Sequence, residues 1–231
     1  MFTTDPKILG LVFISGIIPS LLWLFFWLRE DKKNPEPKGL LALVFVVGMI
    51  SVWFVLPIQK LIRGFGLPDA LELTAWASTE EIVKFLFAYL IVSNTSQADE
   101  PTDWPIYLIT VALGFAALEN VLFVVKPFAL GQTAVGLLTG QLRFLGSTLL
   151  HTIASGMIGI GMGLSFYMST AQKKLYTFLG VSMAIALHSG FNFFIMNSEG
   201  SGFLKVFAFL WVGAILVMLL FEKLRRMNLK V

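Results

Sequence analysis

The chain reads as an all-α protein, a polytopic transmembrane bundle of about seven spans plus one short re-entrant or interfacial segment. Three observations lead there. The 231 residues are 57% hydrophobic and only 13% charged, where soluble domains carry roughly 25% charged residues. The apolar residues fall in runs of about twenty, the length of helix that crosses the hydrocarbon core of a bilayer. Alternating ten-residue segments, the mark of a membrane β-barrel, are absent. No hydrophilic stretch is long enough for a soluble domain, so residues 1–231 are expected to form one membrane domain with a core at about 69–196.

Each element follows from local composition. Span one covers about 8–28, with an expected kink at Pro19. It lacks a basic n-region and a small-residue cleavage site, and reads as a retained span rather than a signal peptide. A polar, proline-punctuated loop follows, from Arg29 to Pro37. Span two covers about 39–60, and a Gly/Pro connector from Arg63 to Pro68 joins it to span three at about 69–93. The acidic loop from Asn94 to Asp103 leads to span four at about 104–125. Residues 127–140 are small and Gly-rich, too weak to cross alone, and form the re-entrant or interfacial segment. Span five, about 141–168, contains Gly159, Gly161 and Gly163, a spacing that permits close helix packing. Span six covers about 174–196. Span seven, about 203–221, is apolar throughout and ends in Glu222-Lys223-Leu224-Arg225-Arg226.

Lys and Arg gather on the cytoplasmic side of membrane proteins. Three basic clusters obey this together if the N-terminus lies outside and the C-terminus in the cytoplasm: Arg29/Lys32/Lys33/Lys38, Lys173/Lys174, and Lys223/Arg225/Arg226/Lys230. Two features run against the trend. Lys60 and Arg63 fall outside, and the acidic loop after span three falls inside. The net charge of +3 is spent at helix ends and gives no sign of nucleic-acid binding. The lipid bilayer is the expected environment. Cysteine is absent, which excludes a thiol nucleophile, a disulfide framework and a thiolate metal site.

A few ionisable residues lie well inside spans: Glu72, Glu80, Glu81, Lys84, Glu119, His151 and His188. Each charge near the bilayer centre costs roughly 2.5–3.5 kcal/mol on insertion scales, so such groups are usually functional. Every Asp lies in a loop or at a span end, so a membrane aspartyl dyad is unavailable. At about 1.5 Å per helical residue, Glu80, Glu119, His151 and His188 sit roughly 9–16 Å in from the outer ends of their spans. Four spans running in alternating directions thus bring these groups to about one depth in the outer half. Glu80 and Lys84 share a helix face at i,i+4, and Glu81 points about 100° away. One carboxylate is then held by Lys84 while the other faces a cavity. His188 and Asn192, and Phe115 and Glu119, have the same i,i+4 spacing. Glu72, near the outer end of span three, reads as interfacial.

Imidazoles and carboxylates converging from four helices suit a hydrolytic zinc site. Zinc takes three N/O ligands, keeps a fourth position open, and lowers the pKa of bound water to about 7. The ligand set is Glu119, His151 and His188, with Glu80 or Glu81 as general base. A different split makes one of the Glu pair a ligand. Asn192 is placed to donate to an oxyanion. The plainer readings are a structural Glu80–Lys84 pair and interhelical hydrogen bonds from each histidine, Glu119 and Asn192.

Glu80-Glu81-x-x-Lys84, then Phe115-x-x-x-Glu119, then His151, then His188-x-x-x-Asn192, resembles the PrsW-type intramembrane proteases, which are similar to the CAAX prenyl protease and bacteriocin-immunity superfamily. The Arg29-x-Asp31-Lys32…Pro35-Glu36-Pro37 loop looks like theirs too. The likeness covers about 25–195. It implies that Glu80 and Glu81 activate water and that His188 and Asn192 complete the site. It also implies a substrate: a single-span membrane protein, such as an anti-sigma factor, cut near its extracytoplasmic boundary in a bacterial cell membrane. Where the prenyl proteases have Phe-x-x-x-His this chain has Glu119, and it adds His151, which makes a metal easier to hold. Its basic residue, Lys84, replaces an Arg one position later. The other function classes are a proton- or cation-coupled transporter, a metal-free Glu/His peptidase, and a non-catalytic scaffold or immunity factor. No clear inverted repeat speaks for transport, and no Gly-x-Ser-Gly signature around Ser155 speaks for a serine nucleophile.

Overall fold

The computed structural model describes residues 5–31, 34–197 and 202–228. Lys32, Lys33 and Lys230, counted in the basic clusters above, lie outside them. The described residues form helices and no strands. The helices are α1 (Pro6–Gly16), α2 (Ile18–Glu30), α3 (Lys38–Gly64), α4 (Asp69–Val92), α5 (Asp103–Ala129), α6 (Thr133–Leu145), α7 (Ser147–Leu164), α8 (Thr170–Met196) and α9 (Gly202–Asn228).

Span one breaks at Ile17, two residues ahead of Pro19. Proline has no N–H to donate and its ring crowds the preceding turn, so α1 and α2 form one span in two pieces. The stretch 127–140 divides: its start belongs to the end of α5, and from Thr133 it forms the short helix α6. A break at Gly146 separates α6 from α7. Among the described residues, six helical units are long and apolar enough to cross a membrane: α1–α2, α3, α5, α6–α7, α8 and α9. The 24-residue α4 has the length but carries Asp69, Glu72, Glu80, Glu81 and Lys84.

The direction of the chain makes α4 a crossing as well. Arg225 near the end of α9 lies 3.6 Å from Glu30 at the end of α2, so the first and last spans run the same way. That needs an odd number of crossings, and α4 is the seventh.

Helix α5 is the axis of the bundle. It is buried without interruption from Pro105 to Ala117, with α1, α2, α3, α4, α6 and α7 around it. Small residues allow this packing. A Cβ on Gly48 of α3 would lie 2.1 Å from the Val111 carbonyl oxygen, and one on Gly114 of α5 would lie 2.0 Å from that of Phe45. The Gly159/Gly161/Gly163 series works as expected: Gly159 abuts Pro105, Gly161 the Tyr176 carbonyl, and Gly163 the Pro101 carbonyl. The outer faces of α3, α8 and α9 display Trp53, Phe54, Phe178, Leu179, Trp211 and Leu219, a surface suited to lipid rather than water.

The end of the bundle that carries the loop after α2 holds a cluster of acidic side chains among its cations. Asn34 donates to Glu100 at 2.7 Å, and Tyr107 donates to Glu36. Asp31 is buried there. Burial, reinforced by the neighbouring Glu36 and Glu100, pushes its carboxyl up to about 7.

Candidate active site

Apart from Glu72, which lies 3.4 Å from Arg63, the ionisable residues singled out in the spans converge on one place beside α5. Helix α4 supplies Glu80, Glu81 and Lys84; α5 supplies Phe115 and Glu119; α7 supplies His151; α8 supplies His188 and Asn192. The common depth inferred from span lengths corresponds to real contact: the rings of His151 and His188 are 5.0 Å apart.

The two adjacent glutamates do different things. Helical geometry turns neighbouring side chains about 100° apart, so only one of them can face the cavity. Glu81 is the inward one and is fully buried. Its Oε1 accepts from Lys84 Nζ at 2.5 Å and meets His188 Nδ1 at 2.8 Å, and its Oε2 accepts from Ser155 at 2.8 Å. Lys84 therefore pairs with Glu81 at i,i+3, not with Glu80 at i,i+4 as the spacing suggested. The reason is room: Lys84 Nζ also lies over the Phe115 ring at 4.9 Å and against His151 Nδ1 at 3.2 Å, a buried slot that Glu81 shares. Ser155 is a donor to Glu81 and not a partner of His188.

Glu80 faces the cavity. Its Oε1 accepts from Gln59 Nε2 of α3 at 2.8 Å. Its Oε2 is buried without a hydrogen-bond partner and lies 3.6 Å from His188 Nε2. Glu119 faces the same cavity from α5. It accepts from Arg143 and meets His151 Nε2 at 3.0 Å. Arg143, near the end of α6, also donates to Asn120 Oδ1 at 2.6 Å and to Ser147 at 2.9 Å, and it stacks on Phe123. The cavity encloses about 910 Å³. Glu80, Glu119, His151, His188 and Asn192 line it, and Glu81 does not.

The donor set fits a metal ion. One ligand atom each from Glu80, His151 and His188 lies within 4.8 Å of the others, and all three residues are buried. A buried carboxylate oxygen left without a hydrogen bond is costly, and Glu80 Oε2 is such an atom. The His188 ring is already oriented, since its Nδ1 lies on Glu81 and its Nε2 is turned toward Glu80. Two nitrogens and one oxygen, with a cavity in front, match a catalytic zinc site. The group corresponds to the split that includes one of the Glu pair, and Glu119 stands beside it, 3.0 Å from His151 Nε2.

A model of the PrsW family intramembrane metalloproteases matches residues 36–221, a stretch that holds the whole constellation. The chain belongs to the PrsW family. Among its relatives, Protease PrsW of Geobacillus kaustophilus is 26% identical over 192 residues, covering 82% of this chain and 81% of the relative. Protease PrsW of Shouchella clausii is 27% identical over 195 residues, covering 81% and 84%. Protease PrsW of Bacillus subtilis is 22% identical over 184 residues, covering 78% and 81%. No solved structure matches the chain.

Three residues of this PrsW-family site escape a reading by motif. Arg143 lies close enough to the start of span five to pass for an interfacial cation, yet it is bonded to Glu119 and Asn120. Gln59 is near the end of a span, where polar residues are unremarkable. Asn120 sits next to Glu119 and ties Arg143 to Thr148. The signal that could have exposed them is Arg143 itself, an Arg inside the apolar helical unit of residues 133–164.

Proposed function

We propose that the protein is an intramembrane metalloprotease, zinc-dependent, that hydrolyses a peptide bond of a single-span membrane protein, of the anti-sigma-factor kind, near its extracytoplasmic boundary. The observation that carries this is the convergence of Glu80, His151 and His188 on the wall of a cavity that Glu119 also faces. The catalytic core is residues 69–196 extended by Gln59, with the N-terminus outside and the C-terminus in the cytoplasm of a bacterial cell.

Glu80, His151 and His188 would hold the metal. When bound, zinc supplies a Lewis acid for the scissile carbonyl and brings the pKa of the attacking water to about 7. The rest falls to the chain. Glu119 takes a proton from water as its oxygen attacks the carbonyl carbon. The C–N bond then breaks, and the same carboxyl returns the proton to the departing amine. Arg143 fixes the Glu119 carboxylate in direction. Asn192, half-buried on the cavity wall, donates to the developing oxyanion. Glu81, Lys84 and Ser155 act behind the site by holding the His188 ring, a supporting role that usually changes metal affinity about 10–100-fold. Lys84 has donors only.

The test incubates purified protein, wild type and Glu80→Gln, with a pool of single-span membrane proteins, read on gels for a truncated product. Stoichiometric zinc by elemental analysis and loss of cleavage on chelation are expected. Protein without zinc whose cleavage survives chelators would leave a metal-free Glu/His activation of water. No product specific to the wild type, together with substrate-dependent proton flux in liposomes, would replace the protease with a transporter.

A further inference from the structure

The cavity has a feature that hydrolysis does not use. At its mouth, toward the α3–α4 turn, stand Lys60 and Arg63 of α3 and Lys126 of α5. All three are exposed. Arg63 is stacked on Trp76 at 4.6 Å and lies 3.4 Å from Glu72. Lys60 and Lys126 have no ion pair among the described residues. Besides these cations the lining is largely apolar, and its carboxylates are the buried Glu80 and the Arg143-bound Glu119. The mouth is also at the end of the bundle opposite Arg29, Lys38, Lys173, Lys174 and Arg225, where positive charge is expected to be scarce. Three cations kept on the wrong side, around one opening, call for a job at that opening.

We infer that Lys60, Arg63 and Lys126 are specificity-determining residues that select a substrate carrying acidic side chains just outside its membrane span, beyond the scissile bond. The inference rests on the protease reading above. A polypeptide threading from the cavity to the outer surface passes these three residues, and an apolar segment followed by Asp or Glu matches the cavity in both polarity and charge. The occupant is a peptide and not a phosphate headgroup because the cations rim an opening that leads to Glu80 and Glu119, not the lipid-facing side of the bundle. Near an interface of intermediate dielectric, turning one such attraction into a repulsion changes affinity by about tenfold.

The experiment uses three single-span reporter peptides, identical except for an acidic, neutral or basic juxtamembrane tetrad. Binding to the full-length wild type in zwitterionic nanodiscs is read by fluorescence anisotropy, and cleavage is read in parallel. The wild type is expected to bind the acidic reporter about tenfold more tightly than the basic one, with the gap narrowing as salt rises. Lys60→Glu with Lys126→Glu inverts the order. Because the salt series uses wild type alone, a variant that fails to fold does not spoil the result. Equal affinities within twofold at low salt would overturn the inference. So would equal affinities that all shift together on exchange to anionic lipid, which assigns the cations to headgroups. A binding preference without any cleavage would keep the acidic-ligand site and sink the protease reading instead.

Discussion

Replacing Glu81 separates a residue that supports the site from one that performs the chemistry. Its carboxylate is fully buried and takes Lys84, Ser155 and His188 at 2.5, 2.8 and 2.8 Å. Glu81→Ala strands the Lys84 amine among Phe115, His151 and an empty slot. Breaking a buried pair on one side costs about 3–5 kcal/mol, a large share of the roughly 5–15 kcal/mol that holds a typical domain together. Glu81→Gln keeps the shape and one acceptor for Lys84 but loses the charge, and is expected to cost about 1–3 kcal/mol. In Glu81→Ala His188 loses its orienting partner, and in Glu81→Gln a neutral amide oxygen takes the place of the carboxylate beside it, so zinc affinity falls about 10–100-fold. The assay is thermal unfolding in detergent followed by tryptophan fluorescence, with zinc content and cleavage measured on the same preparations. Stability and zinc content should fall with activity, and excess zinc should restore part of the cleavage by Glu81→Gln. A Glu81→Gln protein that unfolds at the wild-type temperature, holds full zinc and cuts nothing would mean that Glu81 acts on substrate, and the geometric argument for Glu80 would be wrong.

Other outcomes follow from the same contacts. Glu80→Gln should fold normally, lose zinc and with it most of the cleavage, measured by elemental analysis and gel. Arg143→Gln releases Glu119 and should lower kcat about tenfold or more, while Arg143→Lys, which keeps the charge without the fork, recovers part of it. Gly114→Val places side-chain atoms where the Phe45 backbone already lies, and should reduce the yield of folded protein far more than Gly10→Val, whose added Cβ meets nothing. Asp31 gives a pH effect whose sign is fixed. Its carboxyl, up to about 7 in the folded protein, holds a proton that the unfolded chain releases near about pH 4. Stability therefore falls as pH rises between about 4 and 7. Asp31→Asn should raise the melting temperature at pH 8 and leave it unchanged at pH 4.

Much of this architecture can be read directly from the residues. Apolar runs locate spans because lipid leaves the backbone no other conformation, and ionisable residues inside those runs locate the site because their burial is costly. Glu80, Glu119, His151 and His188 were legible in this way. Which glutamate faces the cavity was not, since a 100° rotation between neighbours has no sign until α7 and α8 are packed against α4. The pairing of Lys84 with Glu81 depends on the slot formed by Phe115, His151 and Ser155, residues from two other helices. Arg143 was hidden because a cation near a helix end reads as an anchor, and Gln59 because amides carry no charge to mark them. The short helix α6 was visible only as weakness in the hydropathy of residues 127–140.

Helix α5 carries a consequence for how the chain is made. Its stretch from Pro105 to Ala117 touches almost nothing but protein in the finished bundle, yet it is synthesised before α7, which covers one of its sides. During that interval it must rest in lipid as stably as a helix meant to stay there. A central helix of a membrane bundle is therefore selected twice, once for solubility in hydrocarbon and once for the close fit of Gly114 against α3. The first requirement makes its hydropathy look like that of its lipid-facing neighbours. The second leaves its mark only in small residues, and only after α7 and α8 have arrived with His151 and His188 do Glu80 of α4 and Glu119 of α5 face one complete cavity.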